Sequence, residues 1–288
     1  MSGGLIHVAG IRDTEEAELL IDCGVEYLGF PLVLDHHAED LPSGEAAKIV
    51  AKYSGQATFF VITYLSKAAK IAELCRKLHV DMVQLHGDIS HVELKRLRAE
   101  QPGWRVIKSL VVTEDNTDTL VEEAERLAHW VDAFITDTFD PVTGARGATG
   151  KTHDWVVSRR LVEVSPKPVI LAGGLTPDNV REAIRTVRPA GVDVHTGIEG
   201  KDGRKRRDLT SRFVTQARKA FAEIDQTCRA WSHAAIFFSA TRSTLPVALS
   251  GMASRTTMSS GALYPTRARA KAINSAAVGR DWPRFSST

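Results

Sequence analysis

Two glycine-containing segments have the residue types of a phosphate-binding site. Gly173 and Gly174 follow the apolar run 168–172, and Thr196 and Gly197 follow the apolar run 192–194. Glycines let backbone N–H groups approach a ligand closely, and a threonine hydroxyl adds one more hydrogen-bonding group. We therefore predict that Gly173, Gly174, Thr196 and Gly197 bind a phosphate group. The alternative is that the two adjacent glycines only form a tight turn.

Acids and histidines stand at the ends of other apolar runs. His86 follows the run 81–85, Asp137 follows the run 131–136, and Asp193 lies within the run 192–194. Carboxyl and imidazole groups are the side chains that enzymes most often use to transfer protons. These residues are therefore candidates for acid–base chemistry or for polar contacts with a ligand.

The elements that must position these residues alternate regularly along the chain. Short apolar runs rich in β-branched residues are each followed by a segment of helical period. Eight such pairs occur in the first 225 residues, about 28 residues each, which is the size of a strand–helix unit. The predicted strands are 5–9, 26–30, 58–63, 81–85, 104–111, 131–136, 168–172 and 192–194. Eight units predict a closed (β/α)8 TIM barrel, an α/β fold whose site lies at the carboxyl ends of the strands. An open doubly wound sheet is the alternative, although the chain has no GxGxxG motif.

The composition changes after about residue 225. Residues 226–288 contain eight Lys and Arg residues and a single acid, Asp281, whereas the first 225 residues contain 29 basic and 34 acidic residues. An acidic body argues against nucleic acid as the main ligand. We predict a barrel domain over 1–225 and a disordered or loosely attached basic tail, rich in Ala, Ser, Thr and Arg, over 226–288. The tail could instead be a non-native extension or a basic arm for an acidic partner.

The cysteine pattern and the hydropathy exclude several classes of protein. Cys23, Cys75 and Cys228 provide no disulfide framework, and no group of Cys and His has the spacing of a zinc site. We predict no cofactor and no metal. The N-terminus has no signal-peptide pattern, and no apolar stretch approaches 18 residues. We therefore expect a cytoplasmic protein with no membrane partner, and the oligomeric state stays open.

Four segments resemble the phosphoribosylanthranilate isomerase family of tryptophan biosynthesis. They are Gln-Leu-His-Gly at 84–87, Gly-Ala-Thr-Gly-Lys-Thr-His-Asp-Trp at 147–155, Leu-Ala-Gly-Gly-Leu at 171–175 with Asn-Val at 179–180, and Val-Asp-Val-His-Thr-Gly-Ile-Glu at 192–199. Their order and spacing match along about residues 5 to 222. The resemblance implies a (β/α)8 barrel, a small phosphorylated ribose-type substrate and an Amadori-type aldose–ketose isomerisation.

The resemblance also implies roles for individual residues. In this reaction a carboxylic acid protonates the ribose ring oxygen and a base removes the proton at C2. Asp137 occupies the family's acid position, and His86 and Asp193 are placed near the substrate. The family's base is a cysteine at the end of the first strand. This chain has Ala9 there, which cannot accept a proton.

A second departure follows the second strand. The family has an arginine that pairs with the anthranilate carboxylate, whereas residues 35–40 of this chain read Asp-His-His-Ala-Glu-Asp. His36 or His37 could reach inward from this loop as a base, and the loop could alternatively bind a metal. His7 is another candidate base, because it points to the same side of its strand as Ala9, although it lies about 6–7 Å deeper. The alternative is that His7 is a hydrogen-bonded histidine of the barrel interior. We take Asp137, His7 and His37 as the catalytic candidates. His195 is a further candidate whose position beside the phosphate site favours ligand contact.

Three functions remain open at this point. The first is an isomerase of an N-substituted phosphoribosylamine with an altered base. The second is a relative that binds phosphosugars without turnover. The third is a lyase or an aldolase on the same barrel, because fold alone does not determine function.

Overall fold

The structure, a computed structural model, describes residues 4–34, 39–113, 116–138 and 155–225, and the backbone of the last helix as far as residue 240. The strands are β1 Leu5–Ala9, β2 Tyr27–Pro31, β3 Thr58–Thr63, β4 Met82–Leu85, β5 Arg105–Val112, β6 Ala133–Thr138, β7 Val169–Leu171 and β8 Gly191–Val194. The helices are α1 Thr14–Asp22, α2 Ser43–Lys52, α3 Ala68–Leu78, α4 His91–Glu100, α5 Thr117–Leu127, α6 Trp155–Val164, α7 Val180–Val187 and α8 Arg207–Ala240. A short 3-10 helix spans Thr196–Ile198.

The eight strands form one closed parallel barrel. Each strand pairs with the next along the chain, and β8 pairs with β1 in the register Leu5 to Gly191 through Val8 to Val194. Closure removes both sheet edges, and an α-helix connects each strand to the next. The prediction of a (β/α)8 barrel is therefore confirmed, and the open doubly wound sheet is excluded.

The sequence near the start of α1 shows how local signals set the elements. Asp13 caps the helix, because its Oδ1 accepts the Glu16 N–H at 2.9 Å. The carboxylate of Glu16 turns back to accept the Arg12 N–H at 2.9 Å and the Lys205 N–H at 2.7 Å. One buried acid thus connects the first helix to the loop between β8 and α8.

Two apolar layers fill the barrel, one inside the sheet and one between the sheet and the helices. Alternate residues of each strand point to opposite sides, so each buried strand contributes to both layers. The inner layer contains Leu5, Ala9, Phe60, Ile62, Met82, Ile107, Ala133, Ile135, Ile170 and Ala172. Because side chains fill the interior, a ligand site must lie above this layer at one end of the barrel.

Several predictions fall outside the described residues. These are the loop histidines His36 and His37, residues 147–154 of the second resembling segment, and the side chains of the tail over 226–288. The domain boundary and the character of the tail therefore stay predictions. Within the part of the chain that the structure describes, no helix is long and apolar enough to cross a membrane.

Candidate active site

The residues predicted from the sequence lie at the carboxyl ends of the strands, at the one end of the barrel that we call the rim. Since all strands are parallel in a closed barrel, whatever follows them faces the same end. Asp137 lies within β6 itself, because this strand extends to Thr138, two residues beyond the predicted end. The residues at this end are Ala9, His86, Asp137, Gly173, Gly174, Asp193, His195, Thr196 and Gly197.

Asp137 and His86 form a close pair across β4 and β6. Nε2 of His86 lies 2.5 Å from Oδ2 of Asp137, and Oδ1 of Asp137 accepts the Thr138 N–H at 2.8 Å. Only 10% of the His86 side chain and 11% of the Asp137 side chain are exposed. Both carboxyl oxygens therefore have a polar neighbour, one the imidazole and the other a backbone N–H.

Tyr64 is a site residue that the sequence reasoning missed. Its ring stacks on the His86 ring, with centroids 4.6 Å apart and planes inclined by 20°. Gly87 lies against the backbone of Tyr64, so the two loops after β3 and β4 pack tightly. The available signal was an aromatic residue directly after a predicted strand. Stacking holds the plane of the imidazole beside Asp137.

His7 lies below the rim, in the packed interior. Nδ1 of His7 is 2.7 Å from Oδ1 of Asp193, but the ring orientation makes this a close polar contact rather than a directed hydrogen bond. The His7 ring packs at 4.1 Å from the Phe60 ring, and only 1% of the residue is exposed. A Cβ atom at Gly29 would lie 2.7 Å from Nε2, so the imidazole needs a glycine beside it.

The loops after β7 and β8 form the predicted glycine-rich end. Gly173 and Gly174 have φ angles of +104° and +59°, the left-handed region that glycine adopts without strain. The amide of Asn179 holds this loop at the start of α7, donating to the Gly174 carbonyl at 3.0 Å and accepting the Thr176 N–H at 2.8 Å. A side chain at Gly197 would overlap the Leu175 carbonyl oxygen, so the two loops touch.

His195 is the other rim histidine that the structure describes. Its Nε2 lies against Gly10, which has a φ of +75°, and 3.6 Å from Oε1 of Glu199. Nζ of Lys205 is fully buried and lies 2.6 Å from the same oxygen. Burial, followed by the positive charge of Lys205, lowers the pKa of His195 below its usual value of 6.5. The imidazole is therefore neutral at pH 7, with a lone pair available for a proton.

The loop after β2 is described only at its two ends. Glu39 accepts the Val33 N–H at 2.7 Å, and Asp40 lies 3.9 Å from Nε of Arg12. The predicted base His37 lies outside the described residues. Among residues 4–34, 39–113, 116–138 and 155–225, no group of His, Cys, Asp and Glu side chains is arranged to hold a metal ion.

A closed (β/α)8 barrel with a polar rim and glycine-rich loops after its last two strands defines a TIM-barrel protein. Comparison with known proteins makes this more specific. A family model described as N-(5'-phosphoribosyl)anthranilate (PRA) isomerase matches residues 6–216. N-(5'-phosphoribosyl)anthranilate isomerase 2 of Methanosarcina mazei is 36% identical over 220 residues, which are 76% of this chain and 96% of that protein. The chain belongs to the PRA isomerase family.

Solved structures agree with this assignment. Phosphoribosyl anthranilate isomerase from Thermotoga maritima superposes with a TM-score of 0.63 at 26% identity, over 74% of this chain and 98% of that one. A second structure, 23% identical, has a TM-score of 0.62 over 74% and 98% of the two chains and is a complex with reduced 1-(o-carboxyphenylamino)-1-deoxyribulose 5-phosphate. The predicted family and the prediction of an isomerase-like enzyme are confirmed. The lyase, aldolase and binding-only alternatives are not favoured.

Proposed function

We propose that this chain catalyses the Amadori rearrangement of N-(5'-phosphoribosyl)anthranilate or a closely related N-substituted phosphoribosylamine. The observation that carries the proposal is the Asp137 carboxyl group at the rim, oriented by His86 and by the Thr138 N–H. It stands at the same end of the barrel as the glycine-rich loops of β7 and β8. The acid and the glycine-rich loops therefore face the same end of the barrel, as the binding of one phosphorylated sugar requires.

Asp137 acts as the general acid in this proposal. It donates a proton to the ribose ring oxygen as the bond from that oxygen to C1 breaks, which leaves an iminium ion at C1. The imidazole of His86, 2.5 Å away, can replace the proton that Asp137 gives up. The pair therefore loses one proton to the substrate and recovers one at the end of the cycle.

The glycine-rich loops hold the phosphate group in this proposal. Backbone N–H groups of Gly173, Gly174 and Gly197 and the hydroxyl of Thr196 approach the phosphate, which places the sugar above the inner apolar layer. The contact between Gly197 and the Leu175 carbonyl keeps the two loops in fixed relation. The product-like ligand that one solved relative binds is itself a 5-phosphate, which supports this arrangement.

The second half of the reaction needs a base. Removal of the C2 proton converts the iminium ion to an enolamine, which takes a proton at C1 and loses the enol proton to give the ketone. Ala9 offers no proton acceptor. Of the bases predicted from the sequence, His36 and His37 lie outside the described residues, and His7 is almost completely buried beside Asp193. These three residues stay predictions as bases.

Complementation tests the proposal. A bacterial tryptophan auxotroph that lacks PRA isomerase should grow when it expresses the wild-type chain, and it should not grow with Asp137→Asn. The matched control is Asp81→Asn, because Asp81 is exposed and precedes β4 at the opposite end of the barrel. Failure of the folded wild-type chain to support growth, together with no conversion of purified substrate, would overturn the proposal. Equal growth with Asp137→Asn would remove Asp137 as the acid.

A further inference from the structure

The proposed function requires a proton acceptor near the carboxyl end of β1, where this chain has Ala9. This inference rests on that function and names the missing group. A suitable group must reach the rim, must be partly accessible to a ligand and must be able to accept a proton at neutral pH. An imidazole or a carboxyl group close to Ala9 meets these requirements.

His195 lies beside that place, directly after the neighbouring strand. β1 and β8 pair in the register His7 with Asp193 and Val8 with Val194, where β8 ends, so His195 directly follows the partner of Val8 at the carboxyl end. Its Nε2 lies against Gly10, the residue directly after Ala9. The Gly10 N–H donates to the Gly29 carbonyl at 3.1 Å, so this backbone is held by β2 and does not move away.

We propose that His195 is the general base that removes the C2 proton, acting from β8 in place of a side chain on β1. Its Nε2 lone pair takes the proton while the electrons of the C2–H bond form the C1–C2 double bond and neutralise the C1 iminium ion. The resulting imidazolium then gives a proton to C1. The enol proton returns to the Asp137–His86 pair, so protons and electrons balance.

His195 and His7 differ in how much of each residue is exposed to solvent. A quarter of the His195 side chain is exposed, whereas His7 is 1% exposed and its ring packs against Phe60. His195 is therefore partly accessible at the rim, whereas the interior would have to open before a ligand could touch His7.

The charges around His195 suit a base that gains and then loses a proton. Burial and Lys205 favour the neutral imidazole, as required before the proton transfer. Glu199, Asp40 and Asp193 oppose this and stabilise the imidazolium once it forms. Lys205 is paired with Glu199, and its backbone N–H donates to Glu16, so the residue is held in place.

The test compares His195→Asn with His79→Asn in the purified full chain, using phosphoribosylanthranilate as substrate. His79 is exposed at the end of α3, and Asn tolerates its left-handed backbone conformation. We expect His195→Asn to lower kcat/KM by about 10²- to 10⁴-fold, the usual contribution of a general base, with an unchanged melting temperature. We expect His79→Asn to behave as wild type.

The pH profile of the wild type gives a readout that does not depend on any variant folding. For the wild type we expect kcat/KM to be level near pH 7 and to fall on an acidic limb below pH 6.5, because the pKa of His195 is lowered from that value. Adding Ala9→Cys to His195→Asn should restore activity. The acidic limb of kcat/KM should then move to about pH 8.5, the usual pKa of a cysteine thiol.

Two results overturn the assignment and leave the proposed function intact. One is wild-type turnover that persists in folded His195→Asn. The other is a wild-type profile without the limb below pH 6.5, together with a loss of activity in His7→Asn or His37→Asn instead. A wild-type chain that converts no phosphoribosylanthranilate would overturn the proposed function, and the assignment of His195 with it.

Discussion

Nε2 of His86 lies 2.5 Å from Oδ2 of Asp137, and the ring of Tyr64 covers the imidazole. The two partners come from β4 and β6, which do not pair with each other, since β5 lies between them. The contact therefore reaches across the carboxyl end of β5. It joins a carboxyl group to an imidazole, and under the proposed function the two residues act as one unit.

This pairing predicts strongly non-additive effects. Asp137→Asn should lower kcat/KM by about 10²- to 10⁴-fold, because the acid is lost. His86→Asn should cost less on its own, and it should cost almost nothing further when added to Asp137→Asn, because residues that act as a unit do not contribute additively. The measurement is a double-mutant cycle on kcat/KM. Effects that add in the double variant would show that the two residues act separately.

The glycine-rich end predicts ligand stabilisation. Inorganic phosphate or ribose 5-phosphate should raise the melting temperature of the wild type. At a ligand concentration 100-fold above Kd, the free energy of unfolding should increase by about 2.7 kcal/mol. Gly174→Leu should abolish the shift, because its φ is +59° and a side chain would cover the loop amides. Gly44→Leu is the matched control, since open space surrounds Gly44. A shift that survives in Gly174→Leu would place the phosphate elsewhere.

The contact between the last two loops predicts a local stability effect. Gly197→Ala should lower the free energy of unfolding by about 1–3 kcal/mol, because the new Cβ would overlap the Leu175 carbonyl oxygen and the backbone must shift. Gly103→Ala should be close to neutral, since no atom lies near a Cβ at that position. Urea denaturation of both variants checks this. Equal midpoints would show that the loops after β7 and β8 do not touch.

The two cysteines of the described barrel should react very differently with alkylating reagents. Burial raises the pKa of Cys75 to about 12, so its thiol stays protonated and enclosed throughout the neutral range. Cys23 is partly exposed beside Ser211. Iodoacetamide at pH 8 should modify Cys23 and leave Cys75 unmodified until the barrel unfolds, as measured by peptide mass spectrometry. Native labelling of Cys75 would contradict the packing of α3 against the sheet.

The fold could be predicted from the sequence because strands of a parallel barrel are buried on both faces. Their continuous apolar runs alternate with amphipathic helices, and eight repeats leave few other architectures. The ends of the strands were less certain. β6 runs on through Asp137 to Thr138, two polar residues that the apolar pattern alone would leave out of a strand.

The candidate site was only partly predictable, for a topological reason. Strand ends could be recognised one by one, so His86, Asp137 and the glycines of β7 and β8 were found. The contact of His195 with Gly10 joins residues 185 positions apart and depends on the closing pair of β1 with β8. Tyr64 likewise acquires its place only through stacking on His86. Neither contact can be read from the linear sequence, where Tyr64 is only an aromatic residue directly after a predicted strand.

The most direct test of the account is the conversion of phosphoribosylanthranilate by the purified full chain, followed as appearance of 1-(o-carboxyphenylamino)-1-deoxyribulose 5-phosphate. We predict that the wild type forms this ketose and that Asp137→Asn forms it at least about 100-fold more slowly. Absence of the ketose with the folded wild-type chain would contradict the account. So would an unchanged rate in Asp137→Asn.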